Sequence, residues 1–304
     1  MMRAIMKAMT RAMANRSPIH RRLLPGGLLL LVLVLATAVS ACKLVLPEEP
    51  EDPIYDNPVD PESPDYVPPA TTITAGPTEG STVTTNEVTF TWTGNGPDML
   101  FRFRVNSGDW IGWRDTETVT LQYLDETTYT FEVQAAYNPG GGATPTQIEG
   151  TPHSRTFTVD AVTGPALRLS PTLTRVYQND TFDIHLIAED VSDLMLVATT
   201  IRFSPTRLEV VSLTHGSFLT STGGSIAPYN EYDNAAGTID VNMATATGSP
   251  AGVSGTGTVL TIRFRQKNTT NSTIWFAGLS SFLRDSNNDP ITLNETATAA
   301  VVVY

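Results

Sequence analysis

Cysteine and histidine are nearly missing from this chain of 304 residues, which has one cysteine, Cys42, and four histidines. A single thiol cannot form an internal disulfide, so disulfides do not hold the fold together. The histidines beyond residue 41, His153, His185 and His215, are scattered, which argues against a histidine metal centre or base. Sequence motifs of serine hydrolases, zinc peptidases and nucleotide-binding proteins are also missing. We therefore expect no catalytic residues, no cofactor and no metal site.

Basic residues are scarce as well, with 19 lysines and arginines against 31 aspartates and glutamates and a formal net charge of −12. A surface with this excess of negative charge repels the phosphates of nucleic acid and the headgroups of anionic lipids. We therefore expect no nucleic-acid partner.

Long apolar runs are limited to Gly27–Ala38, which is too short to cross a bilayer comfortably. Basic residues precede this run and small residues follow it up to Cys42, as in a secretory signal peptide. We predict that residues 1–41 are removed, which takes away six basic residues and changes the net charge from −12 to −18. These basic residues are Arg3, Lys7, Arg11, Arg16, Arg21 and Arg22.

The end of this signal, Val39-Ser40-Ala41-Cys42, resembles the lipobox of bacterial lipoproteins. The resemblance implies that Cys42 becomes the N-terminus, is acylated and attaches the protein to a membrane. The expected location is therefore the outer surface of a bacterium, where the protein is secreted and lipid-anchored. Lys43 favours an outer surface, because lipoproteins that stay on the inner membrane usually carry aspartate there. The alternative is an ordinary secretory signal with a stray cysteine beyond the cleavage point.

Prolines and acidic residues dominate residues 42–70, which we predict to be a disordered but semi-rigid tether. Proline removes backbone donors, like charges repel one another, and few apolar side chains remain to drive collapse. In an extended state of about 3 Å per residue, the tether would hold the rest of the chain on the order of 80 Å from the membrane.

Residues 71–161 lack helical periodicity and contain short alternating runs, which predict a two-sheet β-sandwich. Trp92 lies on an apolar strand face together with Phe90. Leu124 is followed five residues later by Tyr129 and then by alternating apolar residues. This pattern resembles the tyrosine corner of fibronectin type III and immunoglobulin-like domains, which implies that Trp92 is the core tryptophan.

Trp110 and Trp113 lie in an atypical hairpin of this region. Exposed aromatic side chains there could contact sugar rings, whereas buried ones would pack against the sheet. The sequence leaves both interpretations open.

Residues 164–304 form a second set of about nine predicted strands and a second sandwich. In one of them, alternation predicts that Phe182, Ile184, Leu186 and Ala188 face inward. Four stretches of this region resemble the strands and turns of cohesin domains in the right order: Thr199–Val210, Gly237–Val241, Gly252–Phe264 and Leu283–Ile291. Ser204 replaces a usual aspartate and Asp289-Pro290 replaces a usual glycine. The fold class is therefore all-β, with two sandwiches in tandem, the first Ig- or FnIII-like and the second a cohesin-like jelly roll.

Cohesin domains bind the calcium-dependent dockerin modules of polysaccharide-degrading enzymes through one sheet face. The resemblance implies that the corresponding face here is the partner-binding site, with the residues Ala198, Thr200, Arg202, Tyr229, Tyr232, Asp240 and Asn242. The alternative is an ordinary solvated sheet face.

Four hypotheses follow for the function. A non-enzymatic surface adaptor would bind a dockerin-bearing protein, and a carbohydrate-binding protein would use exposed, coplanar Trp110, Trp113, Tyr229 and Trp275. A passive stalk would bind neither, and a glycan-processing enzyme would need two carboxylates about 5 to 10 Å apart in a cleft.

Asp285, Asn287 and Asp289 imitate the start of a calcium loop, but Pro290 and Thr296 stand where glycine and glutamate are required, which predicts a plain hairpin turn.

Overall fold

The computed structural model describes residues 59–138, 141, 145, 147–246 and 251–304. The chain divides into the units Met1–Tyr55 and Asp56–Tyr304, and the second unit contains all the strands reported below. The predicted signal peptide, Cys42 and most of the predicted tether lie outside the described residues. Within the described residues, strands are joined by turns and two short 3₁₀ helices, so the all-β prediction is confirmed. None of these residues belongs to a helix that is long and apolar enough to cross a membrane.

The last part of the predicted tether packs against the first sandwich. Val59 and Tyr66 contact the hydrophobic core of that sandwich, and the side chain of Asn95 donates to Pro68 O at 2.8 Å. The same side chain accepts a hydrogen bond from Ala70 N at 3.0 Å. Apolar contacts and hydrogen bonds of Asn95 therefore hold this proline-rich segment against the first sandwich.

In its described residues the first sandwich contains nine strands in two sheets, ordered β1-β3-β6 and β2-β9-β7-β4-β5, with β8 paired to β7. The strands are β1 (Thr71–Ala75), β2 (Ser81–Val83), β3 (Val88–Gly94), β4 (Met99–Val105), β5 (Ile111–Arg114), β6 (Thr118–Leu121), β7 (Thr128–Tyr137), β8 (Gln147–Ile148) and β9 (His153–Val159).

Aromatic side chains form the core of this sandwich. Phe90 and Trp92 alternate with exposed or half-buried threonines along β3, and Phe90 stacks on Phe131 of β7 with ring centroids 4.0 Å apart. Each fully buried side chain of this size contributes about 1.5–3 kcal/mol to folding. The hydroxyl of Tyr129 accepts a hydrogen bond from Asp125 N at 2.8 Å, which is the contact that defines a tyrosine corner.

The second sandwich contains the remaining strands. They are β10 (Ala166–Ser170), β11 (Leu173–Val176), β12 (Thr181–Arg202), β13 (Leu208–His215), β14 (Ile226–Asp233), β15 (Thr238–Thr245), β16 (Val253–Gln266), β17 (Ser272–Phe276), β18 (Phe282–Asp285), β19 (Pro290–Ile291), β20 (Glu295–Ala297) and β21 (Ala299–Val303). The 3₁₀ helices are Phe218–Thr220 and Gly278–Ser280.

The long strand β12 belongs to both layers of the second sandwich. Its first half pairs with β10 and β16, and its second half pairs with β15, β17 and β18. Between the halves, Asp190 and Asp193 have φ values of 47° and 55°, and the register with β16 shifts there. We call the layer β20-β10-β12-β16-β13 the back sheet and the layer β14-β15-β12-β18-β19, with β17, β21 and β11, the front sheet.

Alternation along the first half of β12 agrees with its predicted orientation. Phe182, Ile184, Leu186 and Ala188 are all buried in one core, together with residues of the front sheet such as Ile201. The hairpin between β14 and β15 requires Gly237, because its φ is 67° and a Cβ atom there would lie 2.3 Å from Phe203 O.

Carboxylates hold the segment that joins the two sandwiches. Glu126, on the loop between β6 and β7, accepts hydrogen bonds from Ala161 N at 2.9 and 3.1 Å. Asp125 accepts from Thr172 N at 2.6 Å, and Glu295 accepts from Thr163 N. Each of these contacts ties the connecting segment to one sandwich or one sandwich to the other, so the junction is an ordered part of the structure.

We expect Glu126→Gln to raise the thermal stability of the junction at neutral pH, because burial raises the pKa of the Glu126 carboxyl. A carboxyl with a raised pKa in the folded state destabilises the fold once pH exceeds its ordinary value, about 4.3. The gain from glutamine should therefore grow as pH rises above that value and vanish below it. Glu126→Ala removes the acceptor and should cost about 1–2 kcal/mol. Calorimetric melting between pH 3.5 and 7.5 tests both, and a glutamine variant whose advantage is independent of pH would contradict the argument.

Candidate functional site

The outer side of the front sheet is a face whose residues are defined by strand register. Residues directly opposite each other in antiparallel strands share a face, so the pairs between β14, β15, β12 and β18 define rows across the sheet. We call this surface the open face. Its rows are Ala227, Ala244, Leu196 and Arg284; Tyr229, Asn242, Ala198 and Phe282; Glu231, Asp240 and Thr200; and Asp233, Thr238, Arg202 and Trp275.

Large apolar side chains on the open face are exposed. Tyr229 is 65% exposed, Phe282 is 49% exposed and Trp275 is 38% exposed. They stand on strands β14, β18 and β17, so they surround the central strand β12 instead of packing on one another. Exposed aromatic side chains grouped on one sheet face are typical of protein–protein interfaces.

Charges on the open face are divided between its two halves. Glu231, Asp233 and Asp240 stand on β14 and β15, whereas Arg202 and Arg284 stand on β12 and β18. The carboxylates bind hydroxyl or amide groups in place of cations. Thr200 Oγ1 donates to Asp240 at 2.6 Å and Tyr229 donates to Glu231 at 2.7 Å, and this second bond raises the pKa of the Tyr229 phenol.

The two arginines of the open face have no carboxylate partner among the described residues. Arg284 donates to Asn288 O at 2.9 Å, and Arg202 has no hydrogen bond within the described part of the chain. Guanidinium groups in this state are available to a carboxylate on another molecule.

The back sheet provides an internal comparison, because its outer side satisfies its own charges. Arg263 forms two hydrogen bonds with Asp183, at 2.8 and 2.9 Å, and Arg265 pairs with Glu209 at 2.8 Å. The bond from Arg263 lowers the pKa of Asp183. The back sheet therefore has the pattern of a solvated face, and the open face has the pattern of an interface.

Comparison with known protein families gives a match within the second sandwich. Residues 168–302 match the profile of the Cohesin domain family. The C-terminal sandwich is cohesin-like. None of the curated proteins matches the sequence.

Three solved structures illustrate the likeness. A type II cohesin domain from the cellulosome of Acetivibrio cellulolyticus is 16% identical, covers 45% of this chain and 92% of its own, and has a TM-score of 0.38. A type I cohesin–dockerin complex from Clostridium thermocellum is 15% identical over 46% of this chain and 98% of its own, with a TM-score of 0.39. A non-cellulosomal cohesin from Archaeoglobus fulgidus is 14% identical over 46% of this chain and 90% of its own, with a TM-score of 0.37.

Most of the residues predicted for partner binding in the cohesin-like sandwich lie on one surface. The structure brings Ala198, Thr200, Arg202, Tyr229, Asp240 and Asn242 together on the open face. Ala198 occupies the centre of these rows, and the residue is only 6% exposed.

Tyr232 does not join this group. It pairs with Ile239, which is fully buried, so its side chain is directed to the other side of β14. It remains 44% exposed because β14 is an edge strand. Tyr229 and Tyr232 are three residues apart, and an odd spacing in a strand places two side chains on opposite faces.

Sequence reasoning did not assign nine of the fifteen open-face residues to partner binding, among them Phe282, Leu196 and Arg284. A signal for Phe282 exists, because it precedes Leu283, which is fully buried, and alternation therefore places Phe282 outward. Strand β18 has only four residues, which is too short for its periodicity to be evident without its partner strand.

Trp110 and Trp113 stack on arginine side chains of the first sandwich. The guanidinium of Arg102 lies 4.5 Å from the Trp110 ring centre and 4.6 Å from that of Trp113, and Arg104 lies 4.5 Å from Trp110. Both indoles are half-buried. They therefore pack against their own sheet, and they do not form one platform with Tyr229 and Trp275, which belong to the second sandwich.

The segment that imitates a calcium loop is a hairpin turn. Asp285 Oδ1 accepts from Asn287 N at 2.9 Å and from Asp289 N at 2.8 Å, so this oxygen is occupied by backbone amides. In the described part of the chain, no group of three or more histidine, cysteine, aspartate or glutamate side chains is arranged to hold a metal ion.

Proposed function

We propose that this protein is a non-enzymatic adaptor of the bacterial cell surface whose cohesin-like sandwich binds a dockerin-type module. In this proposal, the partner carries polysaccharide-degrading activity, and Cys42 attaches the adaptor to the membrane through a lipid. The first sandwich acts as an immunoglobulin-like or fibronectin type III-like spacer, which the tyrosine-corner contact of Tyr129 supports. The family match over residues 168–302 supports the partner-binding role of the second sandwich, since a cohesin domain is an interaction module.

The observation that carries this proposal is the difference between the two outer sides of the cohesin-like sandwich. Arg263 and Arg265 on the back sheet are paired with carboxylates, while Arg202 and Arg284 on the open face have no carboxylate partner within the described residues. Three large aromatic side chains are exposed on the open face as well. A surface that leaves both charge and apolar area unpartnered gains stability when a complementary surface covers it.

A capture experiment tests the proposal. The cohesin-like sandwich is immobilised within the unit Asp56–Tyr304 and exposed to the secreted proteins of the source bacterium, once with calcium and once with a chelator. Calcium-dependent capture of a dockerin-bearing protein is the expected result. Retention on polysaccharide with no captured protein would instead favour direct carbohydrate binding, and the absence of both would favour a passive stalk.

The lipid anchor has a test of its own. We expect Cys42→Ser to move the protein from the membrane fraction to the medium or periplasm, because one acyl chain binds a membrane marginally and loss of all chains removes the attachment. Cells that express the chain are labelled with an alkyne fatty acid and fractionated. Lys43→Ser is the matched control and should keep both the label and the membrane location. Equal labelling of the Cys42→Ser variant would refute lipidation at this residue.

A further inference from the structure

A cavity of about 470 Å³ lies where loops of the first sandwich meet strands of the second. Its walls come from the loop between β2 and β3, the loop between β6 and β7, and residues of β10, β20 and β21. This volume falls within the range of small-molecule sites, about 300–1,000 Å³, and such sites occur preferentially between domains. The open face described above lies on other strands and contributes no residue to the lining.

An exposed aromatic side chain stands at the wall of this cavity. Tyr123 is 50% exposed, and its hydroxyl has no hydrogen-bond partner within the described residues. Its φ is 58°, a left-handed conformation that bulky residues rarely adopt. The neighbouring backbone holds it there, since Leu124 N donates to Asn86 O at 2.9 Å. A tyrosine kept in an unfavourable conformation at a cavity wall suggests a role beyond folding.

Polar side chains around the cavity have unused hydrogen-bonding capacity. Within the described residues, no hydrogen bond is made by the side chains of Thr84, Asn86, Thr296 or Thr298, all of which are exposed and line the cavity. Hydroxyl and amide groups of this kind both donate and accept, so they suit a ligand that is itself rich in hydroxyl groups.

Among the described residues of the lining, Arg168 is the buried polar side chain with free donors. It is 8% exposed and uses its Nε to bind Glu189, and its other guanidinium nitrogens have no partner within the described part of the chain. A buried guanidinium with unused N–H groups beside a cavity is a site where a ligand oxygen gains a strong hydrogen bond.

The charges of the lining exclude an anionic ligand. Glu126 and Glu295 also line the cavity, so two carboxylates stand against the single guanidinium of Arg168. Both carboxylates accept hydrogen bonds from the connecting segment, at Ala161 and Thr163, which commits them to holding the junction. These commitments also argue against a pair of free catalytic carboxylates in this cavity.

We propose that this cavity binds a short stretch of neutral glycan. Tyr123 provides the aromatic surface for one sugar ring, and Arg168 and Asn86 bind hydroxyl groups. The aromatic surface, the unpaired amide and hydroxyl groups and the absence of net positive charge together fit this chemistry. The site is separate from the open face, so glycan and protein partner can bind at the same time.

Affinity gel electrophoresis of the unit Asp56–Tyr304 tests this proposal. The native gels contain hydroxyethyl cellulose, glucomannan, arabinoxylan or dextran, and polygalacturonate serves as the anionic polysaccharide. At least one neutral polysaccharide should retard the protein, and polygalacturonate should not. Tyr123→Asn keeps a residue that tolerates the left-handed backbone, so the variant should fold with an unchanged or higher melting temperature and bind about tenfold more weakly.

Two further variants make the result specific. Asn86→Ala should also weaken retardation, whereas Tyr177→Ala removes another exposed tyrosine, 63% exposed and outside the cavity lining, and should have no effect. Ala198→Arg on the open face should leave retardation unchanged. Retardation by none of the neutral polysaccharides would overturn the proposal, and so would retardation that Tyr123→Asn leaves intact.

Discussion

Replacing Ala198 by arginine is expected to abolish capture of a dockerin-type partner while leaving the cohesin-like sandwich folded. Ala198 stands in the middle of the open face, opposite Asn242 on one side and Phe282 on the other. Its side chain is directed outward, so a long side chain there extends over the face and does not enter the core. A partner that covers the open face would then meet a protruding charge at its centre.

The expected loss of affinity is about 100-fold or more, because residues at the centre of an interface dominate its binding energy. Phe282→Ala removes an exposed ring at the side of Ala198 and should weaken capture about 30-fold. The matched control is Thr214→Arg, which adds the same side chain to an exposed position on β13 of the back sheet. Binding isotherms with the captured protein provide the measurement, and circular dichroism checks the fold.

Calcium-dependent capture that survives both Ala198→Arg and Phe282→Ala would show that the partner binds elsewhere on the molecule. Capture that Thr214→Arg abolishes would assign the interface to the back sheet. The control and the two test variants therefore distinguish an interface on another surface from the absence of dockerin binding. Only in the first case does the unchanged protein still capture a partner in a calcium-dependent way.

The open face shows how far periodicity predicts a site from sequence. Alternation along β12 and β15 is sufficient to place Thr200, Arg202, Asp240 and Asn242 outward, because both strands are long and one of their sides is buried. The same rule, applied to β14, places Tyr232 on the other side from Tyr229, and this separation follows only once both residues are assigned to a single strand.

Two features depend on tertiary structure and leave little trace in local sequence. The change of layer within β12 occurs at Asp190 and Asp193, which both have left-handed conformations. Neither glycine nor an asparagine–glycine pair marks this point in the sequence. The cavity beside Tyr123 forms only where loops of one sandwich meet strands of the other. Side chains that are ordinary loop residues in sequence become lining residues through this contact.

Removing Arg168 alone is expected to destabilise the second sandwich strongly. Arg168 on β10 and Glu189 on β12 form an ion pair in which each residue is only 8% exposed. Glu189 also accepts a hydrogen bond from Thr256 at 2.9 Å. Arg168→Leu leaves the Glu189 carboxylate buried with this hydroxyl as its remaining side-chain partner, and an uncompensated buried charge typically costs about 3–5 kcal/mol.

The double variant Arg168→Leu/Glu189→Leu should recover most of that loss, because two apolar side chains of suitable volume replace a desolvated pair at little net cost. Urea unfolding followed by circular dichroism at pH 7 measures the free energy of unfolding of both variants.

A double variant that is less stable than Arg168→Leu would contradict this account of the Arg168–Glu189 ion pair. That outcome would mean that the Glu189 carboxylate is solvated well enough to tolerate the loss of its arginine, and that its hydrogen bond with Thr256 contributes to stability. The distinction matters for the cavity, because Arg168 lines it. Glu189 holds the Arg168 guanidinium in one orientation. The remaining N–H donors therefore point in a fixed direction, where a ligand in the cavity would accept hydrogen bonds from them.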